Sequence, residues 1–327
     1  MAPEIESPQR RAWLGRSMAS ALVSGMGSSM GSSMAASLAR PLLALPWLAG
    51  CAVGTDRDHT GADAPHSSAL PRPVRTAWVF SSGGPRGFVH IGVIKALEEL
   101  RLVPDLIVGA SAGAAVGVMC AAGMPAREIE ALALDLPVLQ LLRVSLWGEQ
   151  RLSGEGVADL VRDTLRKRGR PHLLEKLPVM MVCVAQRLAD RSALGFNQGD
   201  AGLAVQAAAA IEGQFTPVRI HGQRYADADL VLPLPVRLAR KLGAQRVLAV
   251  DASAHEEQAP ARATGWREGD LRKRMLTRPD ADAADVLLHP EFGYFASLSR
   301  EYRERCIAAG YRDTLAAAAR LQALHAG

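Results

Sequence analysis

Asp105-Leu106-Ile107-Val108-Gly109-Ala110-Ser111-Ala112-Gly113, running into the small-residue segment Ala114 to Ala122, decides how this chain folds. The unbroken apolar run Leu106 to Val108 predicts a strand buried on both faces, and the Ala/Gly/Val/Met spacing after Gly113 predicts a closely packed helix. A sharp strand-to-helix turn forces its central serine into strained backbone geometry, and the flanking Gly109 and Gly113 remove side chains that would collide there. The serine hydroxyl then stands at a helix N-terminus. Upstream, the same grammar occurs once more. Ala77-Trp78-Val79-Phe80 predicts a strand, Ser81 to Gly87 a turn, and Phe88 to Leu100 a helix with apolar residues at Val89, Val93, Ala96, Leu97 and Leu100. Further buried strands are predicted at Pro178 to Ala185 and Arg246 to Asp251. Strands alternating with helices imply an α/β domain with a mostly parallel central sheet flanked by helices. Residues 256–283 read as a polar loop, and Phe292 to Leu324 as a C-terminal helix or helix pair with Gly310 at the break.

The turn Ser82-Gly83-Gly84-Pro85-Arg86-Gly87 opens the first helix. Such a loop presents backbone N–H groups to an anion, either a phosphate or a reaction oxyanion. Pro85 has no N–H, leaving Gly83, Gly84, Arg86 and Gly87 as donors. The pattern is not GxGxxG and lacks the acidic residue expected about twenty positions later, which disfavours a dinucleotide.

Composition narrows the classes further. The chain has 327 residues, 49% of them hydrophobic and 22% charged, which excludes disorder, collagen and coiled coil. The net charge of +5 includes +2 from residues 1–50, and with aromatics at 5% and no basic stripe, nucleic-acid binding is not expected. Cys51, Cys120, Cys183 and Cys306 show no metal-ligand spacing, so neither a structural metal nor a disulfide framework is expected. Cys120 and Cys183 lie in apolar segments and read as inert core thiols.

Taken together, these motifs resemble the patatin-like phospholipases. That family combines GGGxRG, a following His-x-Gly helix, GxSxG and a later DGG or DGA turn. Here they stand as Ser82-Gly83-Gly84-Pro85-Arg86-Gly87, His90-Ile91-Gly92, Gly109-Ala110-Ser111-Ala112-Gly113 and Asp227-Ala228-Asp229. The likeness extends over roughly residues 76–252 and implies a three-layer catalytic domain, with residues 253–327 packed on it. It implies a serine lipid acyl hydrolase of phospholipase A or lysophospholipase type, with Ser111 as nucleophile, Asp227 as its base and the loop amides of Gly83, Gly84, Arg86 and Gly87 as oxyanion hole. It implies lipid ester substrates and no cofactor. The departures fall near the site: Ser82 replaces a glycine, and Ala228 and Asp229 stand in the DGG turn, where glycine angles would cost other residues about 1 kcal/mol or more. Asp229 could substitute as base, or raise the pKa of Asp227.

Two alternatives follow. The altered turn suits a catalytically silent envelope lipoprotein that binds lipid or protein. A Ser-Asp-His triad would use Ser111, Asp251 and His255 or His289. His90 reads as a structural hydrogen-bonding residue rather than a proton-transfer group, Arg86 as a phosphate contact or a solvent-facing charge, and Val138 to Trp147 as core or as a lipid-docking segment.

Residues 1–50 read as a lipoprotein signal peptide. The apolar run Pro41 to Gly50 is too short to span a bilayer, and Leu48-Ala49-Gly50-Cys51 resembles the bacterial lipobox. Translation from Met30 or Met34 would give a compact signal. Residues 51–75 then form a flexible tether from lipidated Cys51, placing the domain at the cell envelope on the periplasmic side of a membrane; the lipobox resemblance, with Ala52 rather than Asp after the cysteine, implies the outer membrane.

Overall fold

In a computed structural model of the protein, residues 53–54, 57–137, 141, 143–145 and 152–326 are described. Cys51 and most of the Val138 to Trp147 segment lie outside them. Among these residues the main sheet has nine strands: β1 Asp58–His59, β2 Thr76–Phe80, β3 Leu106–Ala110, β4 Met180–Arg187, β5 Ser192–Phe196, β6 Val218–Ile220, β7 Gln223–Asp227, β8 Arg246–Val250 and β9 Val286–Leu288. Their spatial order is β9-β8-β2-β3-β4-β7-β6-β1, with β5 also pairing β4. From β9 through β4 all neighbours are parallel, while β7 pairs antiparallel with both β4 and β6.

The central strands β2 and β3 are buried at every position, as their continuous apolar runs require when both faces are covered. Alternate residues enter two cores. Trp78, Phe80 and Ile107 face one side, and Ala77, Val79, Leu106 and Val108 the other. The first side is covered by α1 Val89–Glu99, α2 Ala112–Ala121, α3 Ala126–Leu134, α4 Glu155–Lys167, α5 Ala201–Ala208 and α8 Arg300–Ala316; the second carries α6 Val236–Lys241 and α7 Thr264–Ala281. A short helix, α9 Ala318–Ala326, ends the fold. This is the expected three-layer α/β arrangement.

Four expectations about boundaries change. Residues 58–74 are not a free tether: β1 pairs with β6, Ala64 and Val74 are buried, and the Asn197 side chain bonds both N–H and C=O of Ser68 at 2.7 and 2.8 Å. The domain does not end at residue 252, because β9 extends its sheet beyond β8. Residues 264–281 form α7 rather than a loop, with Trp266, Lys273, Thr277 and Asp280 on its inner stripe. Gly310 does not break the C-terminal helix but lies inside α8. A Cβ there would meet Val89 O at 2.2 Å, and one on Gly92 would meet Ile307 O at 1.9 Å, so α1 and α8 cross at two glycines.

Candidate active site

β3 ends at Ala110, opposite Val184 of β4; β7 arrives from the other direction and ends at Asp227, opposite Ala185. Consecutive residues of one long strand therefore bring together two side chains far apart in sequence. Ser111 leaves β3 at φ 52°, ψ −121°, a conformation an L-residue adopts only under strain, and caps α2 while remaining 6% exposed. The elbow tolerates no side chains at its flanks. A Cβ on Gly109 would lie 2.5 Å from Gly113 O, and one on Gly113 would lie 2.3 Å from Phe80 O.

The glycine loop packs directly on this elbow, since a Cβ on Gly87 would come within 2.4 Å of the Ala112 Cβ. Among the described residues, the N–H groups of Gly83 and Gly84 have no hydrogen-bond acceptor, and neither has that of Ala112 at the start of α2. Arg86 differs from expectation: its N–H is already donated to Gly83 O at 3.1 Å. Its guanidinium donates to Tyr294 O at 2.7 Å with Nε buried, so it is a brace to the C-terminal loop rather than a solvent-facing charge. Gly87 lies within the turn of 3₁₀ helix that spans Gly84–Phe88. Gly83 and Gly84 are thus the loop's available donors.

Asp227 is 3% exposed, and its Oδ1 accepts the Asp229 N–H at 2.8 Å. The Ser111 side chain acts on this carboxylate in the sense that favours its ionised form. Burial, reinforced by the Asp229 charge, pushes Asp227 up to about 7. A carboxyl poised there can take a proton near neutral pH. The turn after it, Ala228–Leu230, is a 3₁₀ turn without positive φ, so Ala228 and Asp229 occupy it without the strain that glycine would be needed to relieve.

Asp229 is spoken for. The Ser82 hydroxyl donates to it and Lys273 Nζ lies 2.7 Å from Oδ1. Burial opposes its ionisation, but Lys273 and the Ser82 hydroxyl outweigh that and hold the carboxyl below its usual range. Lys273, on α7, is the site residue that sequence reasoning missed, because its surroundings read as a loop. The inward spacing of Trp266, Lys273, Thr277 and Asp280 was the available signal.

The histidines serve elsewhere. His90 is fully buried, hydrogen-bonds Ser81 O through Nε2 at 3.0 Å, and is pushed down to about 4 by burial, so it is neutral. His255 and His289 stack on each other with centroids 3.7 Å apart; His289 bonds Ser253 O, and His255 contacts Glu257 and Pro290 O. Asp251 accepts the Ser253 N–H at 2.8 Å. None of these three touches Ser111, and the triad arrangement is not assembled. Burial pushes the Cys120 and Cys183 thiols well above their ordinary range. No group of three or more His, Cys, Asp or Glu among the described residues could hold a metal ion, and no helix there is long and apolar enough to cross a membrane.

Comparison with known proteins gives consistent likenesses. The family model described as patatin-like phospholipase matches residues 78–240. An uncharacterized NTE family protein of Mycobacterium tuberculosis is 35% identical over 191 residues, covering 58% of this chain and 51% of its own. The lysophospholipase NTE1 of Kluyveromyces lactis is 27% identical, over 56% of this chain and 13% of its own. The chain thus spans about half the length of the mycobacterial relative and far less of the fungal one. Among solved structures, VipD from Legionella pneumophila superposes with a TM-score of 0.51 at 15% identity, covering 83% of this chain and 71% of its own, which is a likeness of fold.

Proposed function

Because the chain belongs to the patatin-like phospholipase family, we propose that it hydrolyses acyl ester bonds of lipids, with Ser111 as nucleophile and Asp227 as general base. The observation that carries this is the register of β4, whose neighbouring residues Val184 and Ala185 lie opposite Ala110, which leads into the strained serine, and opposite the buried Asp227. Ser111 Oγ attacks the ester carbonyl as Asp227 takes its proton. The carbonyl oxygen becomes an oxyanion, which the N–H groups of Gly83 and Gly84 stabilise, by about 3–4 kcal/mol per donor in comparable sites. The intermediate collapses when the C–O bond to the leaving alcohol breaks and Asp227 returns the proton to that oxygen. Water then attacks the acyl-serine, giving up its proton to Asp227; the acid leaves and the proton returns to Ser111.

The names of the fungal relatives support a lysophospholipid as the first substrate to try. Purified protein should release fatty acid from lysophosphatidylcholine and p-nitrophenol from a short-chain ester. Ser111→Ala and Asp227→Asn should lose both activities, while His255→Ala keeps them. Activity that survives Ser111→Ala, or that His255→Ala abolishes, would overturn this reading. We further propose that Cys51 carries a lipid that holds the domain at a bacterial envelope membrane. Incorporation of an alkyne fatty acid that disappears in Cys51→Ala would support this, and unchanged incorporation would refute it.

A further inference from the structure

Position 229 carries a carboxylate close to the base, and its N–H already caps Asp227 Oδ1 at 2.8 Å. Two carboxyl groups so near each other do not ionise independently, and the more deeply buried one retains its proton to higher pH. Asp227 is that one, its side chain enclosed while the Asp229 side chain is 38% exposed. A base protonated near neutrality cannot accept from serine, so a second charge at 229 works against catalysis unless it is neutralised.

Lys273 supplies the neutralising charge. Its Nζ sits 2.7 Å from Asp229 Oδ1 and 3.2 Å from Ser82 O, with the side chain 17% exposed. The Ser82 hydroxyl donates to the same Asp229 oxygen. Ser82 stands where the family pattern has a glycine and Asp229 where it has glycine or alanine, and here they bond each other and share one lysine. Three separate segments, the glycine loop, the base turn and α7, are joined at this point. The groups facing the carboxylate pair are Ser82 and Arg86 from the loop and its helix, Ser111 from the elbow, and Lys273 from α7. Arg86 acts on Asp229 at longer range, while its Nη2 donates to Tyr294 O.

We propose that Lys273 is a positioning residue for ester hydrolysis: its ammonium neutralises Asp229 and ties the base turn to the glycine loop, leaving Asp227 free to take the Ser111 proton. This rests on the reading of Ser111 and Asp227 as the catalytic pair. It makes α7, outside the segment matched by the family model, part of the working site.

The test is the pH profile of kcat/KM for a p-nitrophenyl ester, measured on the full chain as wild type, Lys273→Met, Lys273→Arg and Lys273→Met/Asp229→Asn. Lys273→Met should raise the midpoint of the acid limb by about one pH unit, costing roughly tenfold at pH 6.5 and much less at pH 9.5. Lys273→Arg should lie between the two. Removing the orphaned charge in Lys273→Met/Asp229→Asn should return the midpoint to the wild-type value or below. A loss by the same factor at every pH, or a midpoint that Asp229→Asn does not bring back, would reduce Lys273 to a structural contact and overturn the proposal. Wild-type protein with no ester hydrolysis at any pH would instead overturn the functional reading, and this inference with it.

Discussion

Replacing Asp227 by asparagine separates the catalytic role proposed for it from its effect on stability. The carboxyl is carried from its ordinary 3.8 to about 7, chiefly by burial and then by the Asp229 charge. An acid whose folded pKa is raised leaves stability untouched below its unfolded value. It destabilises progressively as pH rises from about 4 to 7, with the full cost above 7. At about 1.4 kcal/mol per pH unit that cost is roughly 4 kcal/mol. Asparagine keeps an oxygen to accept the Asp229 N–H but never ionises. Asp227→Asn should therefore lose activity by roughly a thousandfold and yet unfold at higher temperature than wild type at pH 8.5. At 2–4 °C per kcal/mol the gap is about 8 °C or more. At pH 4 the gap should close, since both proteins then carry an uncharged group. His90, common to both, cancels. Thermal unfolding followed by circular dichroism at the two pH values measures the difference. A gap that is the same at pH 4 and 8.5, or a variant less stable at both, would refute the buried, raised carboxyl.

Further outcomes follow from the same geometry. Ser111→Gly should be more stable than Ser111→Ala by about 1 kcal/mol or more, because only glycine relaxes at φ 52°, ψ −121°, and both should be inactive; chemical denaturation compares them. Gly87→Ala places a Cβ 2.4 Å from that of Ala112, so the loop should shift off the elbow and kcat fall at least tenfold in a protein that still folds cooperatively. His90, lowered to about 4 by burial, should cost stability as pH falls from 6.5 through 4, by roughly 3 kcal/mol in all. His90→Gln should flatten that part of the wild-type stability curve, as read by unfolding temperature at pH 7, 5.5 and 4.

What was legible in the sequence is what depends on local geometry. The elbow around Ser111 and the loop at Gly83 and Gly84 were readable because a tight turn and a close backbone approach dictate glycine at fixed offsets. The central strands were readable because burial on both faces demands unbroken apolar runs. The meeting of Ser111 with Asp227 rests instead on the long-range pairing of β4 with both β3 and β7, which leaves no local pattern; the family resemblance supplied it. Residues 58–74 read as a tether because polar and backbone hydrogen bonds, such as those of Asn197, hold them rather than an apolar stripe. The stripe of α7 was hidden by arginines on its outer face, and Lys273 with it. The strain expected at Ala228 and Asp229 is absent because this turn is closed as a short 3₁₀ helix. Gly310 read as a helix breaker, whereas its missing side chain serves a helix crossing.

The pairing of serine and aspartate is tested most directly by labelling with a fluorophosphonate and locating the adduct by peptide mass spectrometry. The modification should fall on Ser111, its rate should rise with pH through a midpoint near 7, and Asp227→Asn should slow it at least a hundredfold. An adduct elsewhere, or Ser111 labelled as fast in Asp227→Asn as in wild type, would contradict the account.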